Sequence, residues 1–289
     1  MILVTGASGT VGRAVLNEVA KSGAKHRAMY RSASDAAKAP PGTATVIADF
    51  AKKETLASSL RDARSVYLVC SPIPDLVELE GNMIDACVVA GVKHIVLNSA
   101  LGAGDYAKSF PSWHRKVEDK LKSTGISYTV LRPNSFHQNV TAFYAASIRA
   151  QGAFYSSMGD ARISFIDVRD IAVVAAKSLA AGEHAGKTYE LNGPEALTYS
   201  EVAAKISQHA GRAVQYVNIP VDAQRKGMSE QGMPEWQVNA LIDLQAYYTG
   251  GKGGEEDDLL RRLLGRPPIT MDQFIAESAA DFRGQAARA

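Results

Sequence analysis

The chain has 289 residues, 46% of them apolar and 21% charged, with a formal net charge of +2. That is enough chain to bury a large core, as one big domain or as a large domain carrying a smaller one. Lys and Arg are spread along the sequence rather than gathered in a stripe, so neither nucleic acid nor an anionic membrane is an expected partner. The two cysteines, Cys70 and Cys87, have no metal-type spacing and suit a reducing compartment. Met1 leads straight into a core-type strand and apolar runs such as 171–176 are too short to span a bilayer, so no signal peptide or anchor is expected and the cytoplasm is.

Ile2-Leu3-Val4 reads as an apolar strand that runs into Gly6-x-x-Gly9-x-x-Gly12, with an amphipathic helical run over 11–22 opening at the last glycine. A helix start presents unpaired backbone N–H groups and the positive end of the macrodipole, so a pyrophosphate binds there if no Cβ blocks its approach. Gly6 and Gly9 remove that Cβ, and Gly12 lets the helix pack close to the strand. Ser8 and Thr10 offer hydroxyls, and Gly6, Ser8, Gly9, Thr10, Val11 and Gly12 together form the expected dinucleotide cradle.

Gly23 stops the helix and 27–30 reads as a second strand ending at Arg31. An acid at this place in NAD-binding folds takes the ribose 2′-hydroxyl, whereas an arginine accommodates the 2′-phosphate of NADP. Arg31 is therefore expected to hold that phosphate, assisted by Ser32 and Ser34; a solvated surface arginine is the alternative. A third strand over 45–48 ends at Asp49-Phe50, the expected adenine edge, where Asp49 is equally a cap for a helix over 53–60. The fourth strand, 65–70, is stopped by Ser71-Pro72, which should border the crevice because proline donates no ladder hydrogen bond. A helix over 76–90 leads to a fifth strand, 93–99, that ends at Ser99. Cys70 and His94 read as packing residues rather than reactive ones. Ser112 is the expected cap of a helix over 112–121, whose basic residues alternate with Glu118 and Asp119 as on a solvated, salt-bridged face. Gly125 closes that helix, and a sixth strand over 126–132 is stopped by Pro133. Alternating strands and helices imply a parallel, doubly wound sheet.

The opening 4–12, the strand end at Arg31, the run 125–133, then Phe136, Asn139 and 165–172 together resemble the NmrA-like branch of the atypical short-chain dehydrogenases. The resemblance spans essentially the whole chain. It implies an α/β fold, a doubly wound parallel Rossmann sheet with a smaller C-terminal α/β substrate lobe. A nominal division is 1–150 for the Rossmann domain and 151–289 for the lobe, the two being interleaved. It also implies NADP as cofactor, with NADPH preferred over NADH. Wider relatives carry Tyr-x-x-x-Lys, in which tyrosine protonates the substrate oxygen. Here the tyrosine position falls on Phe110 and the lysine position on His114. Phe110 has no proton to give. His114 is the candidate catalytic residue, binding the nicotinamide ribose or donating a proton near neutral pH; a helix-surface or capping histidine is the alternative.

Beyond the sixth strand, Pro133 to Asn139 is expected to floor the nicotinamide pocket, with Pro133 and Phe136 against the cofactor. Trp113, Tyr144 and Phe154 join Phe136 as candidate walls for a flat aromatic substrate. Asp167 and Asp170 read as helix caps rather than catalytic acids. Thr198 and Glu201 form a capping box, 188–191 a short strand and 216–220 an edge strand. Gly250 to Gly254 reads as a flexible connector, and the acids 255–258 as the charged start of a helix over 259–264. No metal site is expected. The expected activity is NADPH-dependent hydride transfer to a small electron-poor aromatic acceptor such as a quinone, a dye or a polyketide-like ring. A non-catalytic NADP sensor of the NmrA type is the main alternative, and an epimerase or dehydratase with bound NAD a lesser one. Monomer and homodimer are both open.

Overall fold

The computed structural model describes residues 1–106, 108–180 and 182–284. Its strands are β1 (Ile2–Val4), β2 (His26–Tyr30), β3 (Ala44–Ile47), β4 (Ser65–Leu68), β5 (His94–Asn98), β6 (Ser127–Pro133), β7 (Ala153–Ser156), β8 (Ile163–Ser164), β9 (Lys187–Leu191), β10 (Ala196–Leu197) and β11 (Gln215–Asn218). Its α-helices are α1 (Thr10–Lys21), α2 (Ala33–Ala36), α3 (Lys53–Ser59), α4 (Leu76–Ala90), α5 (Ser109–Ser123), α6 (His137–Gln151), α7 (Val168–Ala180), α8 (Tyr199–Ala210), α9 (Val221–Glu230), α10 (Glu235–Thr249), α11 (Leu259–Leu264), α12 (Met271–Glu277) and α13 (Ala279–Phe282). The chain divides into two compact units. Unit 1 is Met1–Pro133 with Val168–Glu190, and unit 2 is Asn134–Asp167 with the chain from Leu191 onward.

Unit 1 is built on a seven-stranded sheet of order β3-β2-β1-β4-β5-β6-β9. The pairs from β3 across to β6 are all parallel. Strands covered on both faces need continuous apolar runs, and Leu3-Val4, Val66 to Leu68 and Ile95 to Leu97 supply them, all at 0% exposure. Helices α3, α4 and α5 pack in succession, and α1 packs on α7. Leu76, Met83, Ile84, Val117 and Leu121 share one apolar core with Leu3, Leu68 and Leu97. The chain builds outward from β1 to β3, then returns to β4 on the other side of β1. The carboxyl ends of β1 and β4 are thus a topological switch point, where open α/β sheets bind ligands.

Three differences from the sequence reading concern this unit. The strand at 187–191, placed above in the C-terminal part, is the seventh strand of the main sheet. Crossing to unit 2 occurs after Pro133, upstream of the nominal 150, and 168–190 returns to contribute α7 and most of β9. Helix α5 starts at Ser109, and Ser112 lies inside it, donating its hydroxyl to the Ser109 carbonyl at 2.8 Å instead of capping. Pro111 is accommodated because a first-turn N–H has no intrahelical partner to lose.

Within unit 2, β7 and β11 pair parallel and β8 and β10 antiparallel. The Thr198–Glu201 capping box is formed. The Gly250–Gly254 stretch is not a loose connector: the Gly253 carbonyl accepts hydrogen bonds from the Ser164 amide and from Asn134 Nδ2, each at 2.8 Å. The acids before α11 do more than complement its dipole. Glu256 accepts from the Ala196 amide at 2.9 Å and Asp257 from the Leu259 amide at 2.6 Å.

Candidate cofactor cradle and active site

The glycine turn has the shape its sequence demands. Gly6 has φ +58°, and its carbonyl accepts from the Gly9 amide at 2.9 Å, closing the turn. A Cβ on Gly6 would stand 2.6 Å from Val69 Cγ1, and one on Gly12 would collide with the Gly6 carbonyl, so α1 approaches β1 more closely than any side chain permits. Thr5 fastens the switch point: its hydroxyl donates to the Tyr67 carbonyl at 2.9 Å and accepts from the Val69 amide at 3.0 Å. Ser8, Gly9 and Thr10 are exposed, and Gly9 at the N-cap brings no side-chain acceptor to the first-turn amides of α1. Val11 is buried behind them. Amides at the positive end of a twelve-residue helix, with only hydrogen as the side chain of Gly6 and Gly9, fit a dinucleotide pyrophosphate.

Around this cradle, Arg31 is exposed at the end of β2 and makes no hydrogen bond or ion pair among the described residues. Ser32 is spent on capping α2, accepting from the Asp35 amide at 3.1 Å and donating to Asp35 Oδ2 at 2.8 Å. Asp49 is not the cap of α3, whose N-cap is Lys52; its carboxylate instead accepts from the Ala51 amide at 3.0 Å and tightens the turn after β3. Phe50 is buried, and its carbonyl is held by Asn82 Nδ2 of α4 at 3.0 Å. Ser71 and Pro72 are exposed beyond β4. Nearby, burial pushes the Cys70 thiol up to about 12, so it is an uncharged packing group. Burial likewise lifts the Glu80 carboxyl of α4 to about 8.

The β5–α5 end differs from expectation. Ser99 is 2% exposed; its hydroxyl donates to Glu118 Oε1 at 2.7 Å and its amide to the Leu131 carbonyl at 2.7 Å, so both of its donors are used within the protein. Glu118, read above as part of a solvated face, is fully buried and takes Arg132 Nε at 2.9 Å and Nη2 at 2.8 Å in a bidentate pair. Burial works to raise this carboxyl, but the hydrogen bonds from Arg132 and Ser99 outweigh it and hold it below the usual range. His114 is buried with Nδ1 lacking a partner, and burial pushes it down to about 4, against a weaker pull upward from Glu118 one turn on. It is neither a surface histidine nor an imidazolium donor at neutral pH. A neutral ring still donates one N–H. Phe110 stands edge-on to half-buried Trp113, ring centroids 5.4 Å apart.

The remaining predicted residues belong elsewhere. The Pro133 carbonyl, still in unit 1, accepts from the Leu101 amide at 3.0 Å. In unit 2, Phe136 is the half-buried N-cap residue of α6 and bridges to Ile166. Phe154 is 0% exposed and cannot wall an open slot. It packs on Tyr144 at 4.7 Å and on Tyr216 at 5.5 Å, and the Tyr144 hydroxyl is directed at Tyr199. Phe154 is core, while Tyr144, Tyr199 and Tyr216 pack around it half-buried. Sequence reasoning passed over Asn82 and Glu80, inward-facing polar residues that a helical apolar pattern does not flag. No cluster of three or more His, Cys, Asp or Glu side chains suited to a metal occurs among the described residues.

A parallel sheet that switches direction at a glycine cradle, with an unpaired arginine at the end of its second strand, defines a Rossmann-type dinucleotide-binding protein. The chain belongs to the NmrA-like family, which it matches over residues 1–280. It is similar to an NAD(P)H azoreductase of Xenophilus azovorans, 34% identical over 284 residues that cover 98% of this chain and 99% of that protein. It is also similar to an NADPH-dependent quinone oxidoreductase of Escherichia coli solved with NADPH, at 29% identity and a TM-score of 0.87, covering 97% of this chain and 99% of the other. The fold is shared with a Citrobacter sp. triphenylmethane reductase solved with NADP(H), at 22% identity and a TM-score of 0.85 over 96% of this chain and 100% of that one.

Proposed function

We propose that this protein passes hydride from NADPH to an electron-poor aromatic acceptor such as a quinone or an azo or related dye. The chain is an NAD(P)H-dependent oxidoreductase, as are the azoreductase and quinone oxidoreductase it resembles over nearly their full length. The observation that carries the choice of acceptor is the proton inventory of α5: phenylalanine at the position of the acid, and a histidine that burial keeps uncharged. A ketone that accepts hydride becomes an alkoxide and needs a strong acid beside it, whereas a quinone becomes a phenolate that solvent protonates. When bound, NADPH supplies the hydride. The chain's own part is to hold the pyrophosphate on the Gly6–Gly12 turn, to clasp the 2′-phosphate with Arg31, and to offer the neutral His114 ring as a hydrogen-bonding group.

The test is NADPH oxidation against a panel of quinones, azo and triphenylmethane dyes, enones and simple ketones. Turnover is expected with quinones or dyes and not with simple ketones. Tight NADPH binding with no turnover on any acceptor overturns the reading in favour of a non-catalytic NADP sensor.

A further inference from the structure

Arg13 stands one residue beyond the last glycine of the cradle, on the exposed side of α1. Its side chain curls back over the turn, and Nη2 donates to the Ser8 carbonyl at 3.0 Å. That bond leaves Nε and Nη1 without a partner among the described residues. The guanidinium is thus held at the second step of the Gly6-Ala7-Ser8-Gly9 turn, beside the strand that ends at Tyr30 and Arg31. Strands β1 and β2 are paired in register, Val4 opposite Ala28, so the turn that follows one and the arginine that follows the other are neighbours. The charge on Arg13 is felt at Tyr30, where burial raises the hydroxyl and Arg13 pulls it back down, against Asp35. Asp35 is already engaged by Ser32 at 2.8 Å and Lys38 at 3.6 Å, and Asp49, whose charge like that of Arg31 is felt at Cys70, accepts from the Ala51 amide at 3.0 Å. Two guanidiniums therefore flank the place where the adenosine ribose lies in this fold, and neither is neutralised by a carboxylate.

We propose that Arg13 and Arg31 form a two-guanidinium clamp on the 2′-phosphate of NADP, with the Ser8 carbonyl fixing Arg13 in place. The inference rests on the NADPH reading and adds to it a second specificity-determining residue. A phosphomonoester carries three acceptor oxygens and close to two negative charges, so it can use both planar forks at once, whereas the ribose 2′-hydroxyl of NADH gains little from either. Pre-orientation by Ser8 matters because a guanidinium already held in place loses less freedom on binding.

The experiment is calorimetric titration of wild type, Arg13→Ala, Arg31→Ala and the double variant with NADPH, NADH, 2′,5′-ADP and 5′-AMP. Arg13→Ala is expected to weaken NADPH and 2′,5′-ADP about tenfold, with NADH and 5′-AMP changed less than about twofold. Arg13→Lys, which keeps charge and loses the fork, should fall between. The clamp is overturned if Arg13→Ala leaves 2′,5′-ADP binding unchanged. It is equally overturned if NADH and NADPH weaken by the same factor, since Arg13 then serves only the turn or the pyrophosphate. Equal binding of NADPH and NADH by wild type would instead overturn the underlying NADP reading, before either arginine is changed.

Discussion

At the glycine end of unit 1, the Arg31 guanidinium is exposed and uncommitted, whereas at the β5–α5 end Glu118 is fully buried and bound on both oxygens by Arg132, Ser99 and Lys122. The two ends use the same residue types for opposite purposes. An exposed, unpaired charge contributes little to the fold and is available to a ligand. A buried charge must be matched within the protein, and once matched it fixes the surrounding loops and strands. Binding should therefore be separable from stability by mutation, one end at a time.

The largest effect is expected from removing the partner of the buried acid. Arg132→Met removes the bidentate partner of Glu118 at 0% exposure, leaving only Ser99 and Lys122 on its oxygens, and should cost about 3 kcal/mol in urea unfolding. Adding Glu118→Gln in the same chain should recover much of that loss. If Arg132→Met alone is neutral, the pair does not anchor this end.

At the other end, Arg31→Ala should leave unfolding unchanged and weaken NADPH by about 1.5–3 kcal/mol, or ten- to a hundredfold, with NADH little affected. A matching loss of folding stability would erase the contrast between the two ends.

Glu80 of α4 is a buried acid with no basic partner among the described residues. Its folded pKa of about 8 stands above the ordinary 4.5, so the folded state holds a proton that the unfolded chain releases. Stability from this group is full below pH 4.5 and falls as pH rises towards 8, by at most about 1.4 kcal/mol per pH unit. Glu80→Gln should flatten that decline; an unaltered pH–stability curve would show that the carboxyl ionises freely.

His114 carries the opposite sign. With a folded pKa near 4 against an ordinary 6.5, the unfolded chain binds the extra proton, so stability falls as pH drops from 6.5 to 4. Turnover should show no histidine ionisation between pH 5 and 9, and His114→Gln should change rate without changing the shape of that profile. A wild-type inflection near pH 6.5 that disappears in His114→Gln would restore the imidazolium donor.

These contrasts mark where sequence reading succeeds. The glycine cradle was legible because its requirements are local: each of Gly6, Gly9 and Gly12 answers to a contact within a few residues or in the adjoining strand. Helix α4 and the strands flanking it were legible from apolar runs and the glycine at Gly91. The place of β9 was not, because strand pairing is non-local and a five-residue run looks the same in either unit. Glu118 was misplaced for a related reason. Its neighbour Asp119 does pair with Arg115 on the exposed face at 3.3 Å, and nothing in the local spacing distinguishes the two acids. Arg132, supplied by the next strand, and Ser99 at the end of β5 make the inward position tolerable. Phe154 shows the same limit: an aromatic residue suits a pocket wall and a core alike, and its packing against Tyr144 and Tyr216 decided for the core.

The interleaving of the two units bears on how the protein is made. The cradle is encoded in the first dozen residues, yet α7, which packs on α1, and β9, which borders β6, are encoded only at 168–190. At about 5–20 residues per second of synthesis, β6 waits several seconds with one edge unpaired. An unpaired strand edge is a template for mispairing, so a nascent chain halted between Pro133 and Lys187 is the species most exposed to aggregation, and a single cut after Glu190 releases the whole dinucleotide-binding unit only together with residues 134–167 of the other.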